Sequence, residues 1–332
     1  MNLQQAVARA IPGLGNPNVR DSFGLICLRD EKILSFNGQV GVIVAFKHPL
    51  SVCVDGKSFH NLLKSFGTEA EVVLEEGRGC LYVKSGTTKA KLKTQPGVEF
   101  PDFVPQELAK LYDGQDIHAA FKAIEWTLSK AGKLNEQFQG YGIKGTYLYT
   151  CTGHTISRYK LEKECPVSLH VPEVFGDIIL SLGQPTYLFR SRAQVGAFYQ
   201  DEKTVVLANQ LVAHYPFELL QEEFARAGTP IEVELTGISD FLKRAQTITE
   251  QPSLDVEIKD DGNQLLFRTK ELTAVVPSTT HVFASTALAE RLAKACIKLG
   301  ERVDVADVVG GENRTLRFRE GNLEHFVGLQ AE

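Results

Sequence analysis

Three stretches of the chain share one pattern of apolar and polar positions. They are VDGKSFHNLLKSFG, VPEVFGDIILSLG and STALAERLAKACIKLG, and they end at Gly67, Gly183 and Gly300. Eight residues before the glycine stand Phe59, Phe175 and Leu292; five before, Leu62, Ile178 and Ala295; four before, Leu63, Ile179 and Cys296; one before, Phe66, Leu182 and Leu299. That spacing places the four positions on one helix face. The glycine supplies a left-handed end cap. The three glycines are almost evenly spaced and mark out thirds of the 332 residues.

The flanks repeat as well. Behind each glycine come three alternating runs: EVVLE, CLYVK and KAKLKT; TYLFRS, QVGAFYQ and TVVLANQLVAHY; RVDVADVV, RTLRFRE and LEHFVGL. Ahead of each helix lie others: LICLRD, ILSFNG and VGVIVAF; TYLYTCT, TISRYKLE and VSLHV; LDVEIKD, QLLFRTK and LTAVVP. Ahead of those lie further amphipathic helices, LQQAVARAI, IHAAFKAIEWTL and ISDFLKRAQTI. Period-two alternation with short polar turns predicts antiparallel sheet. The fold class is therefore α+β, with three repeated domains at 1–105, 106–222 and 223–332, each with two helices packed on antiparallel sheets. The polar connectors PQELAKLYDG (105–114) and QEEFARAGTP (221–230) mark the cuts.

Charge is distributed unevenly. The helices predicted over 3–11, 57–66, 114–133, 172–182, 237–248 and 285–299 together carry +5, in a chain whose net charge is −5. The rest therefore carries −10. Lys57, His60, Asn61 and Lys64 form a stripe opposite Phe59 and its apolar neighbours, and Arg291, Lys294 and Lys298 do the same in the last helix. A stripe of this kind on one helix is ordinarily a solvated face; its recurrence across the set points to a shared surface that faces a polyanion. The helix at 172–182 is the exception, made acidic by Glu173 and Asp177. None of the six cysteines stands in a CxxC or other metal-ligand spacing, so small buried hydrophobes in a reducing compartment are expected. The start, MNLQQAVARAIPGLG, has neither the basic opening nor the apolar run of a signal peptide, and the longest apolar run, Val42–Phe46, is too short for a bilayer. A cytoplasmic protein that does not engage a membrane is expected.

The chain resembles the bacterial-type DNA sliding clamp, the beta subunit of DNA polymerase III, over nearly its whole length. FHNLLKSFG with VKSGTTKAKLKTQPGVEFPDF is similar to the clamp's first-domain helix, strand and closing FP segment. LYTCTGHTISRYKLE is similar to its TDGHRL hairpin, VPEVFGDIILSLG to the helix that follows, and ANQLVAHYPF to its K-L-V-x-x-x-[FY]-P ending. ISDFLKRAQTI and the terminal LEHFVGLQ correspond more loosely. Two departures fall on the pocket side: the hairpin reads CTGHTI, and the usual Met-Pro-Met-Arg-Leu type tail is replaced by GLQAE. Such divergence suits a phage-encoded or otherwise specialised clamp.

The resemblance implies a head-to-tail homodimeric ring that encircles duplex DNA without reading its sequence and tethers the replicative DNA polymerase after placement by a clamp loader. The implied pore residues are Arg9, Lys57, Lys64, Lys122, Lys130, Lys243, Arg244, Arg291, Lys294 and Lys298. The implied partner-peptide pocket comprises Phe138, Gly153, His154, Thr155, Ile156, Pro216, Leu220, Val327 and Leu329. The ring interface falls at Ala90 and Leu92 on one edge and Thr247 and Ile248 on the other. No cofactor, metal or catalytic residue is implied. Other readings are an enzyme, or a ring or scaffold unrelated to DNA, built on the same repeat. Against the enzyme, Gly140-Tyr141-Gly142-Ile143-Lys144-Gly145 matches GxGxxG but has a helix tail before it and a strand after it, the wrong context for a dinucleotide site. Gly56-Lys57-Ser58 completes only half of a phosphate-binding loop, since position 51 is Ser51.

Overall fold

A computed structural model describes the chain except residues 69, 97–99, 101–108, 129–137, 153–154, 193, 201–202, 227–230, 235–254, 261–263, 269–272, 278–284, 289–298, 300–301, 311–312 and 329–332. The chain divides into two compact units. One comprises Met1–Lys122 with Leu169–Val212, the other Ala123–Ser168 with Ala213–Glu332.

The first unit is built on an eleven-stranded sheet. From one edge the strands are Val73–Gly77, Cys80–Ser85, Thr88–Pro96, Val52–Asp55, Leu25–Arg29, Lys32–Phe36, Val40–Ala45, Thr204–Asn209, Gln194–Tyr199, Tyr187–Ser191 and Ala109–Asp113. Neighbours pair antiparallel, as the alternating runs predict. The join between the two halves of this sheet is Val40–Ala45 against Thr204–Asn209, with Val42 opposite Val206.

Four helices pack in this unit: α1 (Leu3–Ala10), α2 (Gly56–Ser65), α3 (Gly114–Ile124) and α4 (Glu173–Leu182). A reciprocal cap starts α1: the Asn2 side chain accepts the Gln5 N–H and the Gln5 side chain accepts the Asn2 N–H, each at 2.9 Å. Its buried positions, Leu3, Ala6, Val7 and Ala10, keep helical spacing. In α2 the Asp55 carboxylate accepts the Ser58 N–H at 2.8 Å. The first two copies of the repeat can be compared in three dimensions. Phe59 and Leu63 of α2, and Phe175 and Ile179 of α4, are all fully buried, whereas Phe66 and Leu182, just before the glycines, are only half-buried. Gly67 and Gly183 both have positive φ. Gly183 adopts φ 85°, ψ −167°, an extended glycine-only conformation in place of the left-handed helical cap expected of it. Gln4 of α1 donates to the Leu63 carbonyl at 2.8 Å, and Phe121 of α3 meets Phe175 of α4 edge to face at 6.2 Å. Helices α1 and α2 thus contact each other, as do α3 and α4. Helix α4 also touches the turn Ile11–Gly13 that leaves α1, so the two pairs adjoin.

The second unit holds a six-stranded and a four-stranded antiparallel sheet. The first runs Ile231–Glu234, Arg302–Gly310, Asn313–Glu320, Leu323–Gly328, Thr155–Val171 and Tyr141–Cys151. The second runs Thr273–Pro277, Gln264–Arg268, Asp255–Asp260 and Ser285–Leu288. Helix α5 (Phe217–Ala225) packs Phe217, Leu220 and Phe224 into the core.

Several expectations need correcting. The helix predicted over 285–299 does not begin at Ser285, because Ser285–Leu288 is a strand laddered to Asp255–Asp260. Four residues cannot distinguish the two periods. The helix predicted over 114–133 ends at Ile124. There the Trp126 indole and the Thr127 hydroxyl take the Ala123 and Ile124 carbonyls, which another helical turn would need. The connector at 105–114 contains the strand Ala109–Asp113, and the one at 221–230 contains the end of α5. TISRYKLE and VSLHV belong to one continuous strand. The helix predicted over 237–248 lies outside the described residues.

Candidate functional site

On α2, Lys57, Asn61 and Lys64 are exposed opposite the buried Phe59 and Leu63, and Lys122 is exposed on α3. Arg9 differs. It is half-buried, its Nε donates to Thr204 Oγ1 at 3.2 Å, and its guanidinium lies 5.1 Å from the Tyr199 ring centre. That anchoring ties α1 to the sheet and leaves the exposed lysines as the mobile charge. His60 and His118 each stand four residues before a lysine, on α2 and α3. Partial burial first, and then Lys64 or Lys122, hold each imidazole below its ordinary pKa and favour the neutral ring. Lys130, Lys243, Arg244, Arg291, Lys294 and Lys298 lie outside the described residues.

In the second unit, Tyr149, Cys151, Tyr215, Phe217, Leu220, Phe224 and Phe326 form one buried cluster, with Phe138, Tyr147 and Ile156 packed half-buried against it. The structure therefore brings Phe138, Ile156 and Leu220 together. Thr155 and Val327 face each other across a ladder, next to Ile156 opposite Phe326. Pro216 precedes the first turn of α5. The Thr155 N–H donates to Thr152 Oγ1 at 3.0 Å, closing the hairpin. Gly153, His154 and Leu329 lie outside the described residues.

One feature of this region has no counterpart in the sequence reading. The Arg158 guanidinium is sandwiched between the Tyr147 ring at 4.4 Å and the Phe224 ring at 4.2 Å. Glu324 accepts from Arg158 Nη2 at 2.8 Å and from Arg317 Nη2 at 2.9 Å. The three charges come from facing strands, and their sequence separation hides the contact. On the other side, Lys144 pairs with Glu218 at 2.9 Å and lies 5.4 Å from the Phe217 ring centre. This pairing, through its hydrogen bond, holds the Glu218 carboxyl below its usual range. The cluster is thus an apolar core bordered by the Arg158–Glu324–Arg317 charges and the Lys144–Glu218 pair.

Strand Thr88–Pro96 is paired unequally. Residues 88–93 ladder with Cys80–Ser85, and residues 94–96 with Val52–Asp55. Among the described residues, positions 88–93 have a strand on one side only, and Ala90 and Leu92 lie in that half. Thr247 and Ile248 are outside the described residues.

The motifs that resemble enzyme sites serve other ends. Gly142 lies within strand Tyr141–Cys151, and a Cβ there would come within 2.3 Å of the Tyr215 ring, so the glycine serves packing. The Gly56-Lys57-Ser58 segment opens α2, and the Asp55 carboxylate already accepts the Ser58 amide there, a negative charge that repels a phosphate. Ser157 Oγ and His325 Nδ1 are 2.6 Å apart, but both are buried, the His325 ring centre lies 4.7 Å from that of Trp126, and burial pushes the imidazole down to about 3. Among the described residues no group of three or more His, Cys, Asp or Glu side chains could hold a metal, and no helix is long and apolar enough to cross a membrane.

This architecture, long antiparallel sheets with pairs of helices packed on them, is the DNA clamp fold. More particularly, it is the fold of the beta subunit of bacterial DNA polymerase III. The pol III beta of Caulobacter crescentus matches with a TM-score of 0.86 at 12% identity, over 99% of this chain and 97% of that one. The DNA polymerase III subunit beta of Pseudomonas aeruginosa matches with a TM-score of 0.82 at 13% identity, over 99% and 97%. The Helicobacter pylori beta clamp, solved bound to a DNA ligase peptide, matches with a TM-score of 0.77 at 14% identity, also over 99% and 97%. No family model matches the sequence, and no curated protein matches it.

Proposed function

We propose that this chain is a DNA sliding clamp, a processivity factor that encircles duplex DNA and tethers the replicative polymerase and other DNA-processing proteins. The observation that carries the reading is the end-to-end match of fold, 99% of this chain against 97% of a polymerase III beta subunit. On this reading the chain has three clamp domains, 1–105, 106–222 and 223–332, and two chains close head to tail into a cytoplasmic ring. A cyclic contact of this kind closes when the rotation per protomer divides the circle. Exposed Lys57, Lys64 and Lys122 support a lining that meets phosphates loosely and without sequence preference. The apolar cluster around Ile156, Leu220 and Phe326 supports a peptide pocket, as a clamp bound to a ligase peptide suggests. The open half of strand Thr88–Pro96 supports Ala90 and Leu92 as one side of the ring joint.

A sliding tether cannot grip, so retention is topological and the protein itself performs no catalysis. Loaded onto a closed circle by its loader, the protein should survive a high-salt wash and leave when the circle is cut. Equal loss from intact and cut circles as salt rises would overturn the reading, because simple phosphate binding weakens steeply with salt.

A further inference from the structure

The sheet of the first unit places two cysteines directly opposite each other. Cys27 on Leu25–Arg29 is the register partner of Cys53 on Val52–Asp55. Directly opposed residues of an antiparallel pair stand about 4.5–5.5 Å apart at Cα, within the disulfide range of about 4.4–6.8 Å. Opposed side chains also emerge on the same sheet face, and both cysteines belong to one apolar cluster with Leu34, Ile43 and Phe100. Both are reduced thiols. Cys53 lines a cavity of about 280 Å³, whose walls also include Arg20, Asp21, Ser22, Gln95 and Phe100. A small oxidant therefore has a space of mixed polar and apolar walls, Leu25 among them, that is bordered by Cys53, with Cys27 across the ladder.

We propose that Cys27 and Cys53 form a redox-active dithiol, oxidised by peroxide through the Cys53 cavity to a reversible cross-strand disulfide. In the first step peroxide oxygen transfers to Cys53 Sγ, which gives a sulfenic acid and one water. In the second, Cys27 Sγ attacks that sulfur, the S–S bond forms, and hydroxide leaves with the Cys27 proton as a second water. Two thiols lose two electrons and one peroxide becomes two waters. The resolving thiol is well prepared. The hydrogen bond from Cys53, opposed by burial and aided by Arg29, draws Cys27 below the ordinary thiol pKa. Cys151, by contrast, sits in an apolar core that pushes it up to about 12. The site is independent of the clamp reading. Because Val52–Asp55 also pairs with residues 94–96, the bridge would form at the foot of the open edge.

The test uses the whole chain, treated with hydrogen peroxide, alkylated in denaturant and digested with trypsin. Cleavage puts Cys27 in DSFGLICLR and Cys53 in HPLSVCVDGK, one cysteine in each. The expected product joins these two peptides, consumes two of the six thiols and disappears on treatment with dithiothreitol. In Cys27→Ala no such product forms, and Cys53 is trapped by dimedone as sulfenic acid. Cys53→Ala, which also lacks the product, is the independent control should the first variant fail to fold. Recovery of both wild-type peptides unoxidised, at a dose that converts free cysteine to cystine in the same tube, would overturn the proposal. So would linkage to other cysteines only.

Discussion

Arg158 shows what a single residue can hold together. Its guanidinium lies against the Tyr147 and Phe224 rings and also meets Glu324, which in turn takes Arg317. Removing one partner of a largely buried ion pair leaves the others uncompensated. Arg158→Ala is therefore expected to cost about 3 kcal/mol in denaturant unfolding followed at the second unit. Arg158→Lys should recover little, since an ammonium neither stacks nor forks. His325 makes a pH-dependent prediction. Its folded pKa is about 3 against 6.5 unfolded, so the unfolded chain takes up the proton first and stability falls as pH drops below 6.5. At pH 5 the loss is about 2 kcal/mol relative to pH 8. His325→Gln should flatten that slope in melts from pH 8 to pH 4. Neither residue was legible beforehand. Ile156 and Val327 come from the hairpin and the LEHFVGL strand that carry the resemblance, whereas Arg158 and Glu324 meet only through strand register, which is a three-dimensional fact.

Helices and strands were more readable. The helices predicted over 3–11 and 57–66 correspond to α1 and α2, and their buried faces follow from apolar spacing. Where reading failed, local chemistry overrode composition. Trp126 and Thr127 captured the carbonyls at the end of α3, and Phe217, Leu220 and Phe224 made a helix of a polar-looking connector. Ser285–Leu288 was too short for its period to show. The charged face of α2 carries its own prediction. Lys57 and Lys64 are exposed, so Lys57→Glu with Lys64→Glu should leave the melting temperature within a few degrees of wild type. Affinity of the unloaded protein for duplex DNA at low salt should fall roughly tenfold or more, with a shallower salt slope by titration. An unchanged slope would place α2 away from the DNA.

At the scale of the molecule, the proposed ring would be joined at residues 88–93, the half of the strand that is paired on one side only among the described residues. Native mass should give two chains per particle. Placing an arginine at half-buried Ala90 should weaken that dimer at least tenfold, about 1.4 kcal/mol, as read by sedimentation on dilution, while circular dichroism stays unchanged. The half-strand that holds Ala90 also carries Lys89, Lys91 and Lys93, all exposed and, at alternate positions, on one face. An unpaired border of this kind invites uncontrolled stacking of chain on chain. Three like charges in a row make that costly, because two such borders brought together would repel. On the proposed reading the three lysines would keep this border from stacking before the ring closes, and exchanging all three for threonine should turn a clear solution turbid at neutral pH.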